Sequence, residues 1–196
     1  MGEMVGEFIE LALGNFTVTF LVIGLIVALI VIAVQRPGRA GVAATLLSWF
    51  LFFAIGVTYV FNAVMHIAFG EFTASLIGWA DSPFQTEVGY ASLGIGIVGF
   101  IAFPKRMPLS LKFAAIVGPA CFLWGAASAH IVDIVETGNL SPDNAGPILY
   151  TDLLVPVLGF ALWWFAAATA RGRARAAREQ SVPEADAELG TSPASV

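Results

Sequence analysis

Five apolar segments occupy most of the chain, at residues 16–34, 42–69, 84–103, 111–135 and 148–170. Each is near or above the roughly 20 residues that a helix needs to cross the hydrocarbon core of a bilayer. Within lipid, only helices and closed barrels satisfy every backbone polar group. Charged residues make up 12% of the chain, whereas soluble domains average about 25%. We therefore predict an all-α polytopic membrane bundle in which residues 16–171 form five transmembrane helices.

The basic residues follow the first, third and fifth of these segments. They are Arg36, Arg39, Lys105, Arg106, Lys112, Arg171, Arg173, Arg175 and Arg178. The connections at about residues 70–84 and 136–149 contain acidic residues and no basic residue. Cytoplasmic loops of membrane proteins carry the excess of Lys and Arg. This alternation predicts an N-terminus outside and a cytoplasmic C-terminus, in the plasma (inner) membrane.

The partners that this composition predicts are lipids rather than nucleic acids. The basic residues lie beside the apolar segments, where they can face anionic lipid, and they are too few for a separate nucleic-acid patch. The first helix is expected to pack against the bundle or a partner subunit, so a homo-oligomer and other membrane subunits both stay open. The single cysteine, Cys121, lies within an apolar run and is interpreted as a small buried packing residue.

The two ends of the chain differ from its middle. Residues 1–15 are acidic with apolar positions at helical spacing, which predicts an amphipathic segment on the outer surface. Residues 172–196 are rich in Ala, Glu, Pro and Ser, and we predict a disordered cytoplasmic tail there.

Small residues mark faces on which helices are expected to approach closely. Ser92, Gly96 and Gly99 share one face of the third segment. Gly118 and Gly125, with Ala129, lie near one face of the fourth segment. Small side chains allow close helix contacts in membranes, so both faces are predicted to pack against neighbouring helices.

An internal repeat relates the second and third segments to the fourth and fifth. Glu87 follows His66, and Asp152 follows His130, at nearly the same separation, and each acid is preceded by Thr. Val98-Gly99-Phe100 is likewise repeated as Leu158-Gly159-Phe160. This pattern predicts two hairpin repeats, helices 2–3 and 4–5, related by an axis along the membrane normal.

The repeat predicts a polar site near the outer end of the bundle. An ionisable group in a membrane span costs roughly 2.5–3.5 kcal/mol at mid-depth, so such groups are expected to face one another or a wet cavity. The candidate site residues are His66, Glu87, His130, Asp133 and Asp152, with Glu71, Asn62 and Gln85 beside them.

A metal centre is the favoured interpretation of this residue set. Two His and several carboxylates projecting into a four-helix bundle are the ligand types of di-iron and di-manganese sites, and zinc is equally allowed. The two His would donate nitrogen ligands, Glu87 and Asp152 would supply carboxylates, and Asp133 would bind or orient. Such a site would perform metal-assisted redox or hydrolytic chemistry. The spacings are not the Glu-x-x-His pairs of the di-metal class.

Three alternatives remain open at the level of the sequence. The same groups suit a proton- or cation-linked carrier or transport subunit. Haem between the two His is less favoured, because carboxylates surround them. A purely structural cluster, in which the groups bond to one another, needs no ligand at all. The chain has no Walker motif, no serine triad and no dinucleotide fingerprint, so enzyme activity stays uncertain.

A sequence motif in the middle of the chain indicates a family. His66 is followed by Gly78-Trp79 and by the segment 83–89, which reads Pro-Phe-Gln-Thr-Glu-Val-Gly. Over roughly residues 40–165 the chain resembles a family of small, uncharacterised polytopic bacterial membrane proteins with a His, Gly-Trp and Pro-Phe-Gln-x-Glu-x-Gly motif. The resemblance implies a multi-pass inner-membrane protein and implies no activity.

Overall fold

The computed structural model describes residue 12 and residues 14–189, with side chains through residue 180. The segment predicted for residues 1–15 therefore lies almost wholly outside the described residues. The described residues are helical and contain no strand, which confirms the all-α prediction. The helices are α1 (Phe16–Gln35), α2 (Arg39–Ala68), α3 (Gly70–Ile77), α4 (Phe84–Ala102), α5 (Leu109–Thr137), α6 (Pro142–Ala145) and α7 (Pro147–Leu189).

Five segments of this structure are long and apolar enough to cross a membrane, namely α1, α2, α4, α5 and the span from Pro142 to Gln180 that contains α6 and the first part of α7. They agree closely with the five predicted segments, because bilayer thickness and apolar composition together set the length of a spanning helix. The chain is therefore a multi-pass membrane protein by the length and composition of its helices.

The connections lie at two opposite ends of the bundle. The short α1–α2 and α4–α5 connections carry Arg36, Lys105 and Arg106, and we call this the basic end. The α2–α4 and α5–α7 connections contain α3 and α6, and we call this the polar end. Gly78 and Gly138 end α3 and α5 there with φ of 82° and 73°, a left-handed conformation that glycine adopts without steric cost.

Helix α2 is interrupted by a π-helical turn, Leu51–Val57. At its end the Thr58 hydroxyl donates a hydrogen bond to the Phe53 carbonyl oxygen at 3.0 Å. Single π-turns inside α-helices occur frequently at functional sites. Ala54 and Thr58, within and beside this turn, line the cavity described below.

Helices α2 and α4 touch through their backbones. A Cβ atom placed on Gly99 would lie 2.8 Å from the Gly56 nitrogen and 3.0 Å from the Leu51 oxygen. A Cβ atom on Gly96 would lie 3.0 Å from the Gly56 oxygen, and Ser92 on the same face has no exposed surface. The predicted small-residue contact of the third segment is thus confirmed.

The corresponding prediction for the fourth segment is wrong. Gly118 and Gly125 are exposed, and a Cβ atom on either would meet nothing within 4 Å. Cys121, which falls on the same stripe, is exposed rather than buried. The buried face of α5 is the one that carries Ala115 and Ala120, each at most 2% exposed. Side-chain size identified a stripe of small residues on α5, but core packing decided which stripe of this helix faces inward.

The two hairpins use their repeated glycines in a similar way. Gly99 of α4 packs on α2, its hairpin partner, and a Cβ atom on Gly159 of α7 would lie 3.1 Å from the Ile116 side chain of α5. The same atom would lie 3.1 Å from Phe50 of α2, so Gly159 packs against both hairpins. Each repeated glycine therefore contacts the other helix of its own hairpin, and the hairpin repeat stays a prediction.

Lys112 differs from the other basic residues, because it is buried with 3% exposure. Its Nζ atom donates to the carbonyl oxygens of Ala102 and Phe103 at 2.8 and 3.2 Å and to the Ser48 hydroxyl at 3.2 Å. The last carbonyls of a helix have no partner within it. The Lys112 side chain therefore caps α4 and does not face lipid headgroups.

The backbone of α7 continues as helix to Leu189, where the sequence predicts a disordered tail from residue 172. Ala, Arg and Glu, which dominate this stretch, have high helix propensity. The exposed Arg175 Nε also donates to Glu179 Oε1 one turn later at 2.8 Å. Residues 190–196 lie outside the described residues.

Candidate functional site

A cavity of about 370 Å³ lies at the polar end of the bundle, between α1, α2, α4, α5 and α7. Its volume falls within the range of sites for small organic molecules, about 300–1,000 Å³. Most of its walls are apolar, and its titratable lining residues are Tyr59, His66, His130, Asp143 and Asp152. No Lys or Arg lines it among the described residues. The cavity thus has acidic and imidazole groups and no cationic partner for them.

His130 is held in a defined orientation near the end of α5. It is buried, and its Nδ1 atom lies 2.6 Å from Oδ1 of Asn144, a fully buried residue of α6. Asn144 Nδ2 donates in turn to the carbonyl oxygen of Asn139 at 2.8 Å. On its face, the His130 ring stacks on Trp79 with 5.5 Å between ring centroids. These contacts fix both the plane and the rotation of the imidazole.

The same contacts fix which nitrogen of His130 carries a proton. A backbone carbonyl only accepts, so Asn144 must present its amide nitrogen to Asn139 and its oxygen to His130. His130 Nδ1 is therefore the donor. Its other nitrogen, Nε2, lies 3.9 Å from Asp152 Oδ2. In the neutral ring His130 Nε2 is a hydrogen-bond acceptor. The ionised Asp152 carboxylate that it faces is also an acceptor and has no proton to donate.

Asp152 is the most deeply buried acid of the cavity, with 2% exposure. It lies near the start of α7, and its Oδ1 atom accepts no hydrogen bond from any described group. Pro156, four residues later, has no backbone N–H, so the Asp152 carbonyl also lacks the usual helical partner. Burying a carboxylate oxygen that accepts no hydrogen bond costs free energy. A ligand that donates a hydrogen bond to Asp152 Oδ1 would remove this cost, so the ligand would be stabilised at this position.

A second histidine lines the other side of the cavity. His66 Nδ1, in the last turn of α2, lies 2.5 Å from Oε1 of Gln85, near the start of α4. One turn earlier, Asn62 Nδ2 donates to the Ser92 hydroxyl at 2.9 Å. Each hairpin thus contributes one histidine whose Nδ1 contacts a side-chain amide oxygen. The structure brings His66, Gln85, Asn62, His130 and Asp152 to one cavity.

The model of a family of unknown function, DUF6790, matches residues 14–172. The chain belongs to the DUF6790 family. The matched range includes every residue that lines the cavity, and it confirms the expectation of an uncharacterised family. The specific motif and the bacterial origin that the resemblance suggested stay predictions. No curated protein and no solved structure gave a match to the chain.

Three of the acids selected from the sequence of this DUF6790 member lie outside the cavity lining. Glu87 and Glu71 are exposed. Asp133 uses its carboxylate to hold the polar-end connections, since its Oδ2 accepts from Trp79 Nε1 at 2.9 Å and from Asn139 Nδ2 at 2.7 Å. Asp133 therefore positions Trp79, which stacks on His130, without reaching the cavity itself.

The predicted metal centre has no support from this arrangement. Among the described residues, no three His, Cys, Asp or Glu side chains are grouped so that they could hold one metal ion. His130 and Asp152 lie together, whereas Glu87 and Asp133 are directed elsewhere. Metal binding by this DUF6790 protein stays a prediction.

Asn144 and Trp79 were not selected as site residues from the sequence. A signal for Asn144 does exist, because Ser82-Pro83-Phe84-Gln85 and Ser141-Pro142-Asp143-Asn144 share the pattern Ser-Pro-x-amide. In each hairpin the amide of this pattern contacts the histidine that precedes it in the chain. The repeat thus relates Gln85 to Asn144 better than it relates Glu87 to Asp152.

Proposed function

We propose that this DUF6790 protein is a multi-pass plasma-membrane protein that binds a small cationic solute in a cavity reached from outside the cell. The positive-inside rule supports this orientation, because it assigns the basic end to the cytoplasm and the polar end to the exterior. Trp79, Ala80 and Phe84 line the cavity and are themselves exposed, so the cavity has an opening at the polar end.

The observation that carries the proposal is the unpartnered oxygen of Asp152. Its carboxylate is buried in a cavity that no Lys or Arg lines among the described residues. Burying a charge without a partner costs far more than burying a paired one. A bound cation supplies the missing partner, whereas an anion would add a second negative charge. Asp143 in the same lining adds to this preference for a cation.

Cysteine labelling in intact cells tests the orientation. In a Cys121→Ser background, Ala126→Cys places a thiol in the cavity one turn before His130. We expect membrane-impermeant thiosulfonate reagents to modify this thiol from outside. Ser110→Cys, an exposed position at the basic end, should react only after the membrane is permeabilised. The reverse pattern would overturn the outward orientation.

The same cysteine tests the preference for cations. A cationic thiosulfonate should react with Ala126→Cys faster than an anionic one, by more than the ratio measured at an exposed control cysteine. Replacing Asp152 by Asn should reduce this excess roughly tenfold, the effect of one unit charge at distances across a cavity of this size. An unchanged ratio would show that Asp152 does not attract cations, and the proposed function would fall.

Two related occupants are the remaining candidates, because His130 Nε2 and Asp152 Oδ2 are both acceptors and need a positive species between them. A proton there would fit a proton-linked carrier. A transition metal (Fe, Mn or Zn) there would fit the metal hypothesis. Elemental analysis of protein purified without chelator tests the latter, which requires a stoichiometric metal that is lost in His130→Ala. Protein free of metal yet still selective for the cationic reagent would leave the organic solute as the occupant.

A further inference from the structure

The cavity has few hydrogen-bond donors left near Asp152. Four hydroxyls of its lining already donate to backbone carbonyl oxygens, at 2.8–3.4 Å; they belong to Thr58, Tyr59, Thr73 and Thr151. Thr17 contacts the Thr151 oxygen at 3.1 Å, and because Thr151 uses its proton on Ile148, Thr17 is the donor of that pair. None of these hydroxyl protons is available to a ligand or to Asp152.

Ring N–H groups near the site are committed as well. Trp79 Nε1 donates to Asp133 at 2.9 Å, and His130 Nδ1 donates to Asn144. The donors that the lining retains, on Asn62, Ser82 and Gln85, belong to α2, to α4 and to the residues before α4. The side chains on the α5–α7 side of the cavity therefore offer acceptors alone: His130 Nε2, the two Asp152 oxygens and the Asp143 carboxylate.

The acceptors of His130 and Asp152 are close enough to share one ligand nitrogen. His130 Nε2 and Asp152 Oδ2 lie 3.9 Å apart, and a nitrogen between them can donate to both at ordinary hydrogen-bond lengths of about 2.7–3.2 Å. Asp152 Oδ1 needs a further donor. One proton between ring and carboxylate would pair Oδ2 and leave Oδ1 unsatisfied. A positively charged nitrogen with three N–H bonds can donate to His130 Nε2 and to both Asp152 oxygens, and one with two N–H bonds can still satisfy both oxygens.

We propose that the ligand is an organic ammonium ion with at least two N–H donors, a primary or secondary amine, whose nitrogen binds between Asp152 and His130 and whose apolar part lies against the apolar walls. This rests on the proposed function and names its ligand class. Phe16, Val88, Phe122 and Val155 supply apolar lining, which favours an organic body over a bare inorganic cation. A quaternary ammonium carries the same charge but has no N–H to donate.

Three probes that share a hexyl chain test this proposal. Binding of n-hexylamine, hexyltrimethylammonium and hexanol to the full chain in nanodiscs is measured by calorimetry, for the wild type and for Asp152→Asn. We expect the primary amine to bind on the order of ten- to hundredfold more tightly than the other two, because hexyltrimethylammonium has no N–H to donate and hexanol has one O–H donor but no positive charge. Asp152→Asn should remove most of this advantage, whereas Glu136→Gln, which removes an exposed acid at the same end of the bundle, should keep it.

The possible results distinguish the proposed cation site from the proposed requirement for N–H donors. Equal binding of the primary and quaternary ammonium ions, both dependent on Asp152, would overturn the N–H requirement and keep the cation site. Hexanol binding as tightly as the primary and the quaternary ammonium ions would overturn the cation site as well. Thermal unfolding without ligand shows whether Asp152→Asn keeps the fold, and Asp152→Ser replaces it if it does not. An amine advantage unchanged in a folded Asp152 variant would also overturn the proposal.

Discussion

Lys112→Met is expected to lower the free energy of unfolding by about 3 kcal/mol. The substitution keeps an unbranched apolar stem but removes the Nζ atom that donates to Ser48, Ala102 and Phe103. Each buried carbonyl left without a donor costs about 1–3 kcal/mol. Reversible unfolding in mixed micelles, followed by circular dichroism, measures this loss. The cause is the C-terminus of α4, whose last carbonyls are buried and need a donor from another helix.

Lys105→Met is the matched control for this prediction. Lys105 lies at the same end of the bundle, but it is exposed and contacts Gln35 at 3.3 Å. The same chemical change at this surface site should alter stability by no more than about 0.5 kcal/mol. Equal losses for the two variants would mean that the Lys112 cap contributes nothing specific to the fold.

Gly99→Ala is expected to destabilise the protein by about 2 kcal/mol. The added methyl group would lie 2.8 Å from the Gly56 nitrogen and 3.0 Å from the Leu51 oxygen, so α4 must move away from α2. Added atoms in a well-packed contact cost about 1–3 kcal/mol. Backbone atoms of two helices cannot yield as a flexible side chain can. The same unfolding measurement gives the size of the loss.

Gly94→Ala is a control that is not expected to lower the stability of the protein. Gly94 lies on the same helix, yet a Cβ atom there would meet nothing within 4 Å. Alanine is favoured over glycine in a helix by up to about 1 kcal/mol, so this variant should be neutral or slightly more stable. If both substitutions stabilise the protein, the α2–α4 contact is looser than these distances indicate.

The site residues show how much of a cavity lining can be predicted from helical spacing in the sequence. His66, His130 and Asp152, which the sequence selected because ionisable groups in membrane helices avoid lipid, all line one cavity. Glu87 lies only two residues beyond Gln85 but outside the cavity lining. Two residues turn a helix by about 200°, which directs the Glu87 side chain away from the cavity. Spacing alone therefore gave the depth of these groups better than their direction.

Asn144 shows what repetition in a sequence can add. Its role follows from the shared Ser-Pro-x-amide pattern, which places an amide beside the histidine in each hairpin. Asp133 shows the limit of such reasoning, because its place near His130 suggested a ligand. Its carboxylate is occupied by Trp79 and Asn139, groups from two different connections that no local pattern brings together.

The sequence by itself determined the number of spans and their approximate ends, since both follow from apolar length and the thickness of a bilayer. It also selected five of the polar residues that line the cavity, namely Asn62, His66, Gln85, His130 and Asp152. Only the tertiary structure decided which stripe of α5 faces inward, that Lys112 caps a neighbouring helix, and that Asp152 is left with an unpartnered oxygen. These outcomes depend on the rotation of each helix about its axis and on contacts between residues far apart in the chain, which local composition does not encode.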